Sequence, residues 1–300
     1  MVIQKTSKGV KPFLLFPLLE SRIEPDGKAG TTMTEYQRAK AQQAEYEQLR
    51  FWKDDAEKQR NQLVVKSNEL IQKSRFSLSA LEQKIILYII SKIKPEDTEL
   101  KEYCFDLREM CRVCGISYSG KNYLNFKDSI KALRDKSFWI ETPRKLYTVS
   151  WIERVEIDKY QTTVSVKLDD RLLPYLLNLR ECFTSYELNY TLLMKSKYSI
   201  RIYELLKSYV GIGVFHIGIV DLKKLLQCES YSEYKEFRRN VIDKALKEIN
   251  EFTDLEIEYQ QIRENRAVSA LLFKIKRKDD IDLTIQRVKN NMLLDAGVKE

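Results

Sequence analysis

One histidine, His216, stands in the 300 residues, and its isolation excludes more than any other count. Metal sites built on paired histidines, multi-histidine hydrolases and nucleases with a His-hydrophobic-His motif all need partners that this chain lacks. A nicking enzyme would set a tyrosine beside a histidine-ligated metal, and only the tyrosines, 17 of them, are plentiful. Five cysteines, an odd number with no signal-like start, read as free thiols in a reducing cytoplasm. Cys111 and Cys114 form a Cys-x-x-Cys, with Cys104 seven residues earlier. Cys182, Cys228 and His216 are too scattered to close a four-ligand zinc site, so the pair is read as small core hydrophobes, and no metal or cofactor is expected. ATP hydrolysis would need Gly-x-x-x-x-Gly-Lys-Ser/Thr, and Gly211-x-Gly213 lacks the rest. The apolar run 13–19, broken by Pro17, is too short for a membrane span of about 20 residues, so no membrane partner is expected.

What is present is enough for two cores. Apolar residues make up 43% and aromatics 11%, and the length suggests two domains of roughly 150 residues. Lys+Arg 52 against Asp+Glu 44 gives +8, a balance that favours a polyanionic partner. Residues 1–32, ending in the linker chemistry of Pro25-Asp26-Gly27-Lys28-Ala29-Gly30, read as a loosely attached leader, with Met33 as a candidate start. From Thr34 to about Gln62 the chain is rich in helix formers but sustains no heptad, which predicts a solvated helix or frayed arm.

From Leu63 the sequence is patterned, and the pattern is written twice. Leu63-Val64-Val65 is a short strand, and Ser79-x-x-Glu82 is a capping box opening a helix with Leu81, Ile85, Ile89 and Ile93 on its apolar face. A second helix is expected from Phe105 to Gly115, and a third from about Lys121 to Lys136. Two alternating strands follow, one through Val149, Trp151, Val155 and Ile157, the other through Val164, Val166 and Leu168. Trp139 and Trp151 are read as core or interface anchors. Then Thr184-x-x-Glu187 offers another box, and Tyr198, Ile202, Leu205 and Leu206 build a helix. Next come a β-like stretch 214–217, the helix begun by Asp221-Leu222-Lys223, a third helix from about Tyr231 to Asn250, and strands 255–261 and 267–276. Helix, helix, helix, hairpin, repeated at roughly 115 residues, is the plan of a duplicated winged helix. The expected class is α+β: two tandem winged-helix domains behind a helical or flexible N-terminal arm. The expected boundaries are 1–61 for leader and arm, 62–183 and 184–278 for the domains, and 279–300 for a C-terminal tail.

A winged helix lays its third helix in the major groove and its wing beside it, so it needs cations for phosphate and planar polar groups for base edges. The second copy supplies them best. Its third helix carries Lys235, Arg238, Arg239 and Asn240; its first helix opens with Lys195, Lys197 and Arg201; its hairpin and exit hold Arg263, Arg266, Lys274, Lys276, Arg277 and Lys278. With Phe237, Val241, Ala245 and Ile249 inward, a helical wheel turns Arg239, Asn240 and Asp243 outward and puts Arg238 near the apolar direction. Arg239 therefore ranks first, then Asn240 and Lys235, with Arg238 below them. In the first copy the equivalents are Lys121, Asn122, Asn125 and Lys127, with Arg144 and Lys145 before the long hairpin. An ordinary solvated face competes with these readings, since Glu233, Glu236, Asp243 and Glu248 nearly balance the second copy's charges.

Residues from about 62 to 278 resemble the iteron-binding, theta-type plasmid replication initiators. The resemblance rests on residues 63–70 (LVVKSNEL), 79–85 (SALEQKI), 197–206 (KYSIRIYELL) and 237–245 (FRRNVIDKA) followed by 248–250 (EIN), in that order and spacing. It implies monomers that bind directly repeated origin sites, and a homodimer, joined largely through the first domain, that represses its own gene at an inverted repeat. It also implies recruitment of the host initiator ATPase and replicative helicase, with no catalysis by the initiator. Carried over, helix 231–250 reads bases, and Lys197 and Arg201 grip phosphate. The family often has a basic residue where this chain has Asn240, and the arm before residue 62 lies outside the likeness. A winged-helix transcription regulator without origin melting would use the same chemistry.

Overall fold

The computed structural model describes residues 35–141, 144–158, 160 and 162–298, so the reading of residues 1–32 as a leader lies outside the described residues. The chain divides into two compact units, one ending at Gln48 and the other running from Leu49. Helix α1 (Glu35–Arg60) belongs in part to each. Within the larger unit its last turns are not a solvated arm: Ala56 and Arg60 are buried.

β1 (Leu63–Ser67) leads into α2 (Asn68–Lys73) and then α3 (Ala80–Ile90). The Ser79 hydroxyl accepts from the Glu82 amide and the Glu82 carboxylate from the Ser79 amide, the reciprocal bonds of a capping box. β2 (Glu102–Asp106) precedes α4 (Leu107–Val113), so Phe105 is a strand residue and not the start of the helix. Asp106 is the reason: its carboxylate caps the amide of Arg108, so the helix starts only after it. α5 (Gly120–Asp135) is the third helix.

The region after α5 departs from the expected hairpin. β3 (Ser137–Glu141) and β4 (Leu146–Ser150) form their own ladder, and only then come β5 (Ile152–Ile157) and β6 (Thr163–Leu168), paired with β2 in the order β2-β6-β5. The expected strand from Val149 to Ile157 is therefore two strands. Trp151 divides them, turned inward at 1% exposure, with its ring 4.8 Å from Phe138 and 5.0 Å from Phe76. Burying so large an aromatic outweighs keeping one ladder continuous.

The short α6 (Leu173–Leu176) is followed by β7 (Phe183–Glu187), which pairs antiparallel with β1. Thr184 and Glu187 are thus strand residues and not a second capping box. The Thr184 hydroxyl donates to Asn68 and Glu187 meets Arg287, while the inward alternation of Thr184 and Tyr186 is that of a half-buried strand. α7 (Asn189–Leu192), α8 (Lys197–Lys207), β8 (Val214–Gly218) and α9 (Ile219–Leu226) follow in chain order. α10 (Tyr234–Phe237), a π-helical turn (Arg238–Asp243) and α11 (Lys244–Phe252) run as one continuous third helix. β9 (Leu255–Glu264) and β10 (Ala267–Arg277) form the wing in the order β8-β10-β9, repeating β2-β6-β5: in each copy the strand before the second helix pairs with the last strand. The stretch expected as a tail is instead α12 (Asp280–Ala296), capped by Asp279.

Candidate nucleic-acid interface

The third helix of the second copy is held by its apolar side. Phe237, Val241, Ile242, Ala245 and Ile249 are fully buried, and Lys235, Arg238 and Arg239 are exposed, with Asn240 half-buried beside them. A regular wheel places Arg238 near the apolar direction, and the structure corrects this. The π turn inserts extra arc between Phe237 and Val241-Ile242, which turns Arg238 out of the core. Its Nε stands 3.2 Å from the Asp243 carboxylate, whose other oxygen accepts from the Tyr259 hydroxyl at 2.8 Å on β9. Arg238 is thus aimed by a residue one turn on and braced by the wing. Arg239 Nε donates to the Asn240 side-chain carbonyl oxygen at 3.4 Å, keeping guanidinium and amide side by side.

Two features that sequence reasoning missed set this helix's angle. Lys223 of α9 donates to the Tyr231 carbonyl at 2.6 Å and lies 5.3 Å over the Phe237 ring, tying the second helix to the start of the third. Gln227 takes the left-handed conformation, φ 49°, that ends α9. The wing adds Arg263 and Arg266, both exposed, on either side of a turn in which Asn265 has φ 55°.

Lys197 is half-buried at the start of α8, its ammonium 3.3 Å from the Ser77 hydroxyl. Arg201, expected on phosphate, lies inside the molecule. Its guanidinium sits 4.1 Å over the Phe76 ring, donates to the carbonyls of Ile71 and Ser74, and approaches Glu204 at 3.6 Å. The reason is the helix around it: Ile200 through Leu206 are all buried, so α8 has no solvent face at that turn. Glu204 also binds Lys66 and the Tyr186 hydroxyl. Burial pushes the Glu204 carboxyl up, but Lys66 and Arg201 beside it prevail and hold it below the ordinary range. Lys278 is likewise internal in role. Its ammonium caps the end of α11 by donating to the carbonyls of Asn250 and Thr253, both at 2.8 Å.

In the first copy, Lys121 and Asn125 lie one turn apart on the exposed face of α5, with Lys127 exposed on its flank. Asn122 is half-buried and spends its amide on the Ser117 carbonyl at 2.8 Å. Arg144 and Lys145 are exposed in the β3–β4 connection. Thus the first copy turns fewer planar groups outward on its third helix than the second.

Cys111 and Cys114 are buried at 0% and 3% exposure. Burial pushes their thiols up to about 12 and about 11, as it does for small side chains packed in a core. Among the described residues no helix is long and apolar enough to cross a membrane.

Residues 63–207 match the family described as initiator replication protein, WH1, and residues 218–275 match its companion, initiator Rep protein, WH2. The chain belongs to the initiator replication protein family. That is a family of DNA-binding winged helices and not of enzymes. Among its relatives is a replication initiation protein of Escherichia coli, 26% identical over 251 residues (79% of this chain and 76% of the relative). A probable replication protein of Bifidobacterium longum strain NCC 2705 is 22% identical over 246 residues (79% and 80%). The fold is similar to that of the Pi initiator protein, solved in complex with iteron DNA, with a TM-score of 0.61 at 17% identity, over 74% of this chain and 99% of that one.

Proposed function

We propose that this initiator starts replication of a plasmid by binding repeated origin sequences, iterons, with both winged helices. The observation that carries the reading is the second copy's third helix, which turns Arg238, Arg239 and Asn240 outward on a π turn braced by the wing. In this reading the helix enters the major groove. Arg239 and Asn240 read base edges, Lys235 and Arg238 flank them, and Lys197, Arg263 and Arg266 hold phosphate. The first copy adds backbone contacts from Lys121, Asn125, Lys127, Arg144 and Lys145. The Pi initiator's capture of iteron DNA supports the pairing of this fold with such a site.

Two further steps belong to the same reading. A homodimer joined through the first domain represses the initiator's own gene, supported by Trp139, 57% exposed, and Leu146 on the outer face of the β3–β4 hairpin, whose β3 edge carries no further strand among the described residues. In the cytoplasm, the origin-bound protein recruits the host initiator ATPase and replicative helicase, for which the support is family membership alone.

The test is binding to origin-repeat DNA and to a scrambled duplex at several salt concentrations. With roughly 6 phosphates engaged, affinity falls with a log–log slope near −5. Arg239→Ala costs about 1–3 kcal/mol on the repeat and little on the scramble, whereas Lys197→Ala weakens both alike. Equal losses on both duplexes for Arg239→Ala would remove its base-reading role.

A further inference from the structure

α12 begins beyond residue 275, where the family match ends. Its inner face is firmly engaged. Leu283 and Leu294 are buried, Arg287 grips Glu187, Asn189 donates to Asn291, and Asn290 donates to the Phe252 carbonyl at 2.8 Å. At its far end Asp295 accepts from the buried Arg60 at 2.8 Å. The helix is therefore held as a rigid element, and its other face is apolar and uncovered. Ile281, Ile285, Val288 and Met292 are 74%, 62%, 53% and 65% exposed. Their spacing of four, three and four makes one straight seam along the helix.

The order of these residues is its own complement. When two copies of α12 lie antiparallel about a twofold axis, Ile281 meets Met292 and Ile285 meets Val288, each twice. Asp282 and Lys289, both exposed and seven residues apart, occupy one flank of the seam. In the antiparallel arrangement that flank meets itself, which brings each Asp282 beside the other copy's Lys289. A parallel arrangement sets the flank against Thr284 instead and gains no charge pairing. We infer that the outer face of α12 is a self-pairing surface, an isologous antiparallel contact between two copies of this chain. Four such side chains a copy bury on the order of 800 Å² in total, below stable specific interfaces and within the range of weak, transient ones. The pairing is correspondingly weak, with a Kd of about 10 μM to 1 mM.

This inference does not rest on the first-domain dimer proposed above, and sedimentation velocity on the full chain separates the two. Over about 1 to 300 μM at low salt, the chain self-associates. With the first-domain contact removed by Trp139→Ser the chain still self-associates, and adding Ile285→Asp/Val288→Asp makes it monomeric through that range; both side chains face solvent, so their replacement leaves the inner face intact. Asp282→Lys sets like charges against each other and weakens association about tenfold, while Asp282→Lys/Lys289→Asp restores it. That restoration is the readout a misfolded variant would not show. Association lost with Trp139→Ser but unmoved by the α12 variants would overturn the inference and leave the first-domain dimer standing. No association at 300 μM, or an α12 face that binds only a different protein, would also overturn it.

Discussion

At the scale of single residues, burial decides what a side chain is available to do. Cys111, Cys114 and Cys228 are buried, and burial lifts their thiols to about 12, 11 and 11, whereas Cys104 and Cys182 are exposed. At pH 8 the raised groups are almost wholly protonated and shielded, so the native protein should react with Ellman's reagent as two fast thiols and three slow ones. All five become fast in denaturant, and a native burst of three or more would contradict the burial of the three. The same contrast divides Lys197 from Arg201. They are four residues apart on one helix, yet the first reaches the surface and the second lies inside, one of its nitrogens donating to the carbonyls of Ile71 and Ser74.

At the scale of elements, α8 and the third helix of the second copy each depart from simple periodicity. α8 is buried on all sides through its middle turns and must neutralise what it carries inward: Glu204 stands between Lys66 and Arg201 and accepts from Tyr186. Glu204→Gln leaves two buried cations without a counter-charge and should cost about 3–5 kcal/mol in chemical denaturation, against near-neutrality if the cluster is hydrated. The Glu204 carboxyl lies below its unfolded value, so its contribution is full above that value and fades as pH falls through the folded one. In the third helix the π turn shifts Arg238 away from the apolar direction that a regular 3.6-residue period gives it. No residue preference announces such a turn, because it answers to the packing of Phe237 and Val241-Ile242 against the rest of the domain.

At the scale of the whole molecule, α12 ties both copies to the last turn of α1. It reaches the end of the first domain's second helix at Gly115, whose φ of +66° and closeness to Leu294, 2.8 Å from where a Cβ would lie, leave room for nothing larger. Arg287→Ala removes the paired bonds to Glu187 from a half-exposed site. It should cost about 1 kcal/mol and raise amide exchange across 280–296 before the rest of the second domain, as hydrogen-exchange mass spectrometry would read. Unchanged exchange there would mean that the apolar and amide contacts suffice without the arginine.

What the chain's own order of residues determined is local and repetitive. It determined the Ser79–Glu82 cap, the two helix-helix-helix-hairpin units, the apolar side of each third helix, and the burial of Cys111 and Cys114, all consequences of spacing along one element. Tertiary structure alone decided which of the cations face outward. It sent Arg201 and Lys278 inward, turned Arg238 out, made a strand of Phe183–Glu187 because β1 was there to pair with it, and gave the C-terminal helix a place to dock. Such outcomes depend on neighbours far along the chain, 100 residues apart for Glu187 and Arg287, and the energy of such contacts is written in no local pattern.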